Sequence, residues 1–262
     1  MRLYVEVARK TFARIATYRQ ATLAGVFTNT VFGFVLAYVL LAVYRERETV
    51  GGFDAIDAVT FTFVAQGLLM VVGIFGSADF PERITTGDVV VDLQRPYDQQ
   101  AWWAAVSYGN AAYYAIFRGI PPFVAGAVVF DLRMPSFPSF AAFVVSAFLA
   151  VGACFAWTYL LQLSAFWLMD YRGPNQIGSF VAQFFAGVFI PIVFFPSWLE
   201  TTARATPFPS MMQLPIEVWL GRHQDAALLG VFAQQVFWIG VLVVAGRYVM
   251  SRAVGRVVVQ GG

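Results

Sequence analysis

The sequence predicts an all-α, polytopic membrane protein with six transmembrane helices. It also predicts an N-terminal interfacial helix and short re-entrant helices before the last span. Three observations carry this reading. Residues of the AVILMFWYC set make up 59% of the 262 residues and charged residues only 12%, against about 45–50% and about 25% in soluble domains. Too little charge remains to cover a water-facing surface. Second, six stretches lack Asp, Glu, Lys and Arg: Gln20 to Tyr44, Ala58 to Ala78, Gln99 to Phe117 (continuing past Arg118 to Phe130), Met134 to Met169, Gly173 to Leu199 and Ala226 to Gly246. Each passes the roughly 18 residues of a bilayer-crossing helix. Third, the alternation of an outer-membrane barrel is absent, and a backbone in hydrocarbon must satisfy its own polar groups, which makes the spans helices.

In chain order, residues 1–20 read as an amphipathic helix. Leu3, Val7, Phe12, Ile15 and Tyr18 alternate with Arg9, Lys10, Arg14 and Arg19, the pattern of a helix held at the interface by anionic lipid. The basic residues spread too far, and the next apolar run is too long, for a cleaved signal. The spans fall near 22–44, 58–78, 101–130, 139–169, 174–195 and 225–247, in a single transmembrane domain over 1–262. Pro135 and Pro138 put the start of the fourth run in a loop, so this 36-residue run is one long span and not two. Eleven Lys and Arg residues lie on the side of both termini against five on the other, which places both termini in the cytoplasm.

Two connecting segments are more than linkers. After span two, segment 79–98 opens with Asp79, Phe80 and Pro81, a helix start. Gly87 is a helix stop, which gives a short helix over 81–86, followed by Val89, Val90, Val91 and Leu93. The segment either packs on neighbouring spans or docks a cytoplasmic partner. Between spans five and six, segment 196–222 holds Pro196, Pro207, Pro209 and Pro215 yet is rich in Trp, Phe, Met and Leu. Two short helices are expected, at about 198–205 and 211–220, with Trp198 and Trp219 at headgroup level. They either cap a cavity or serve as aromatic anchors.

The chemistry that is missing narrows function. The net charge is +2, too balanced for a nucleic-acid binder. One Cys (Cys154) and one His (His223) leave no metal cluster. No GxxxxGK[ST], HExxH or GxSxG motif is present, so the chain is not expected to be an enzyme. The one ionisable residue inside a span is Arg118. It either binds an anionic substrate or lipid, or it snorkels outward or meets a carbonyl freed near Pro121-Pro122. Counted from Ala101, it falls toward the outer end, and snorkelling is the cheaper solution. Asn29, Gln66 and Gln183 are other polar groups at depth, where amides more often join helices than bind substrate.

These features resemble the permease subunit of type-2 ABC exporters, the ABC-2 family. One bacterial branch carries I-x-x-G, about five residues, then L-x-R-P after the second span, and Ile84, Gly87, Leu93, Arg95 and Pro96 stand in those places. Leu214-Pro215 and Trp219-Leu220-Gly221 are similar to its segment before the last span. The resemblance implies a multi-pass protein of the bacterial cell (inner) membrane. It would pair with a second permease chain, related or identical, and bind a separate ABC ATPase that carries ATP and Mg. The short helix would be a coupling helix, with Glu82, Arg83 and Ile84 as contacts, Phe80 anchoring its base, and Pro81 and Gly87 shaping it. The substrate would be amphipathic or apolar, with Asn29, Gln66, Arg118 and Gln183 as candidates along its path. The alternative is a membrane scaffold without transport.

Overall fold

The computed structural model describes residues 1–168 and 170–255. Met169, the expected end of span four, and Arg256, one of the basic residues that set the orientation, lie outside the described residues. Among the described residues the fold is all-helical, and five helices are long and apolar enough to cross a membrane.

Helix α1 (Arg2–Ile15) buries Val7 and Thr11 and lies against the first turns of α6 (Gln99–Val129). A Cβ added at Gly109 of α6 would stand 2.4 Å from the Ala8 carbonyl oxygen, so the two backbones touch there. Helix α2 (Arg19–Val43) follows after a short turn. Helix α3 (Ala55–Val72) is the centre of the bundle and buries most of its residues. It begins with a capping box in which Asp54 and Asp57 each accept from the other's backbone N–H, satisfying donors the first turn would leave open. Phe61, Val64 and Leu68 pack with Ala150, Ala153 and Cys154 of α7 (Phe137–Gln162).

At one end of the bundle stand α1 and two short helices, α4 (Asp79–Thr85) and α5 (Val89–Leu93). Arg14 joins α1 to Asp79 at 2.9 Å, and Arg247 of the last helix reaches Asp98 at 3.2 Å. This is the α1 end. Helix α4 is longer at its start than the 81–86 expected from sequence.

The segment expected as span five, 174–195, is helical only as α8 (Arg172–Phe185), about 21 Å long at 1.5 Å per residue. Gly187 then takes φ +80, a left-handed turn, and a 3-10 turn follows at Ile192–Phe194. The apolar run is therefore one short helix followed by broken backbone that continues to the opposite end, not a full helical span. Helices α9 (Ser197–Arg204) and α10 (Gln213–Trp219) match the two expected short helices. Their placement differs between them: Trp198 is 69% exposed, whereas every residue of α10 is buried and Met211, Met212 and Ile216 belong to the main core. Helix α11 (Asp225–Val254) closes the chain. Gln235 on α11 is fully buried and donates to the carbonyls of Ser146 and Ser210, both at 3.0 Å, tying α11 and α7 to the outer segment.

Candidate functional site

The α4–α5 segment is a braced platform. Phe80 points inward, stacks on Tyr159 of α7 with ring centroids 5.1 Å apart, and meets Trp103 of α6 at 5.3 Å. Pro81 is buried, and Ile84 packs beside Leu163 and Ala165. Arg83 makes a two-point ion pair with Asp92: Nη2 donates to Oδ1 at 2.9 Å, and Nε meets Oδ2. The Asp92 hydrogen bond and charge outweigh partial burial and hold the Arg83 guanidinium above its usual range. Gly87 lies between the two helices at φ +82, a conformation that costs a side chain about 1–2 kcal/mol.

The platform is wired to the spans through the connector that precedes it. Gln162 of α7 donates to the Ser77 carbonyl at 2.8 Å, and Asn175 of α8 donates to the Phe75 carbonyl at 3.1 Å. A cavity of about 560 Å³ opens between α1, α4 and α6, lined by Lys10, Arg14, Asp79, Glu82, Arg83 and Asp88 among others.

Of the residues named for docking, Glu82 and Gly87 are exposed, Arg83 is half-buried, and Phe80, Pro81 and Ile84 face the interior. Ile84 thus holds the helix down from beneath. Val91 does face outward, 53% exposed. The Val89-Val90-Val91 run was its only sequence signal.

The four candidate path residues do not form one cluster. Asn29 donates from Nδ2 to the Gln66 backbone carbonyl at 3.2 Å, and both residues are buried, so they join α2 to α3. Gln183 donates to Ser179 within its own helix. Arg118 lies apart in a π-helical turn, Ala115–Gly119. Pro121 and Pro122 follow, and neither can donate to the turn before. Its guanidinium packs on Gly25, where an added Cβ would meet Nη2 at 1.9 Å, and lies 5.4 Å from the Tyr114 ring centre. This corrects the expected position toward the outer end. Gly25 is six residues into α2 from Arg19, about 9 Å along the axis, so Arg118 sits in the half nearer the α1 end. The first turns of α6 pack on α1. Helical side chains also lean toward their own N-terminus, which directs Arg118 to the α1 end.

At the opposite end a charged layer clasps the outer segment. Asp57 is buried between Arg133 (Nε at 2.6 Å) and Arg222, and Asp54 pairs with Arg133 at 2.7 Å. Glu217 on α10 is buried among His223 (2.7 Å), Arg204 (3.1 Å) and Gln213 (2.9 Å). Burial alone would raise its carboxyl, but these partners outweigh it and hold the group below the usual carboxylate range. Sequence reasoning missed this layer; the partners of Asp54 and Asp57 lie 79 and 165 residues away.

With the platform and the bundle in view, comparison with protein families matches the chain over residues 28–261 to the family described as "ABC-2 family transporter protein". The chain belongs to the ABC-2 transporter family. No curated protein and no solved structure matches it. This ABC-2 protein is therefore a multi-pass membrane component of an ABC transporter and works with an ABC ATPase. The matched range covers the platform, the outer charged layer and Arg118.

Proposed function

We propose that the chain is the permease of an ATP-driven exporter and that α4 is its coupling helix. The observation that carries this is the Arg83–Asp92 brace over Phe80: a push on the exposed edge of the platform reaches Tyr159 through ring stacking, and Gln162 and Asn175 through the connector they hold. The ATPase, which holds ATP and Mg, docks on Glu82, Gly87 and Val91. A second permease chain, identical or related, completes the pathway, and ATP binding rocks the two bundles against each other. Both termini and the platform face the cytoplasm of a bacterial cell, in line with the Lys and Arg bias.

The substrate is amphipathic or apolar. A groove of about 590 Å³ between α3, α6 and α7 is walled almost wholly by carbon, from Phe63 and Leu68 to Phe148 and Trp219. Opening a polar path along α2 and α3 requires the Asn29–Gln66 hydrogen bond to break.

The deciding experiment is co-reconstitution of the permease with its ATPase in proteoliposomes, measuring ATP turnover and dye efflux together. Exporter function requires both to rise with an apolar substrate and both to fall in E82A/V91D. A scaffold would bind the ATPase with no change in turnover and no efflux.

A further inference from the structure

A guanidinium in a spanning helix normally finds an acid or a carbonyl, because an isolated charge in hydrocarbon is costly. Among the described residues, Arg118 has neither. No acid and no carbonyl reaches it; its polar neighbour is Tyr114, and its Nε is buried without a partner. What surrounds it is a seat. Gly25 leaves the space its guanidinium fills, and Tyr114 offers a ring face from one turn earlier. Tyr113, the next residue toward the seat, fixes α6 to α2 through a 3.0 Å hydrogen bond with Thr22. Both helices present exposed apolar side chains here, Leu23 and Phe27 on α2 and Ile116 and Phe117 on α6. This face is apolar, of the kind lipid acyl chains cover.

The surroundings favour a lipid anion. Gly25 stands about 9 Å from the start of α2, toward the α1 end, where an interfacial helix would bury its apolar face by about 5–10 Å. A soluble anion would have to give up water to reach a guanidinium flanked by apolar side chains, whereas a lipid phosphate arrives with acyl chains that cover them. The planar guanidinium fork fits phosphate oxygens two at a time.

We propose that Arg118 and Gly25 form a binding site for the headgroup phosphate of an anionic phospholipid in the leaflet at the α1 end. Arg118 donates to the phosphate, Gly25 leaves room for its guanidinium, and Tyr114 offers the cation a ring face. The site requires only that α2 and α6 cross a bilayer. It stands even if the efflux assay above fails.

The test is native mass spectrometry of the full chain released from phosphatidylcholine nanodiscs that contain phosphatidylglycerol. Wild type is expected to retain phosphatidylglycerol. R118L and G25L should retain about tenfold less, the loss expected for one charge-assisted contact pair, and R118K an intermediate amount. R19Q, which removes an interfacial cation nearby, should behave as wild type. Excess glycerol phosphate should not displace the lipid. Unchanged retention in folded G25L and R118L overturns the site. An equal loss in R19Q reduces it to diffuse attraction. Displacement by glycerol phosphate makes it a site for soluble anions. A disulfide between two copies of G25C that excludes the lipid makes it a permease interface. If R118L does not fold, G25L alone decides, since it displaces the guanidinium while leaving the charge in place.

Discussion

Phe80 and Tyr159 stack almost parallel, with 9° between their planes. One belongs to a surface platform and the other is a buried residue near the end of α7. This ring pair is where a movement of the platform would first be felt inside the bundle. Phe80 is 1% exposed, so F80A should cost about 3–5 kcal/mol by opening a cavity. F80L should cost less. Thermal unfolding in detergent measures both, and F80L should show reduced coupling of ATP turnover to efflux even where it unfolds near wild type.

The Arg83–Asp92 pair predicts opposite roles for neighbouring residues. D92N leaves Arg83 without its partner across the Gly87 turn and should destabilise the platform by about 1–3 kcal/mol, a value held down because a third of the Arg83 side chain meets solvent. E82A should leave stability unchanged and weaken ATPase co-purification. Equal unfolding temperatures for D92N and wild type would contradict the brace.

Gly109 predicts what anchors α1. With the Ala8 carbonyl 2.4 Å from where its Cβ would stand, G109L should push α1 off α6. Limited proteolysis within residues 1–18 should then become faster while the spans stay protected.

Glu217 gives a pH dependence with a definite sign. Its folded pKa lies below the ordinary carboxylate range, so its stabilising effect is complete above that range. It is lost as pH falls through the lower, folded value. Unfolding temperature should drop as pH is lowered from about 6 to about 3, and E217Q should flatten that decline while starting from a lower stability at neutral pH.

Orientation is tested by a C-terminal reporter. Activity only on the cytoplasmic side is expected from the Lys and Arg bias, and activity only outside the cell would reverse the assignment of the platform.

Much of this was legible in the sequence because hydrocarbon permits so few solutions. Five charge-free runs became long helices, Ser136 and the prolines beside it set the start of α7, and the prolines of 196–222 framed two short helices. The run from 173 to 199 misled because charge alone cannot show a backbone break. Gly187 turns left-handed there, and the Ile192 N–H is taken by Gln213 from 21 residues away. Arg118 was misplaced for a related reason. Counting from Ala101 assumes the helix enters the membrane where it begins, whereas its first turns belong to the α1 contact. The charged layer of Asp54, Asp57, Arg133 and Arg222 was hidden by separations of 79 and 165 residues between partners.

The burial of α10 has a consequence for biosynthesis. Met211, Met212 and Ile216 complete the core that Phe61 and Leu68 of α3 begin, yet they are made nearly 150 residues later. Spans two to four can enter the bilayer as they emerge, but their central packing stays open until this segment leaves the ribosome. A nascent chain halted before Pro207 should therefore be a target for membrane quality control, and one halted after Gly221 should escape it.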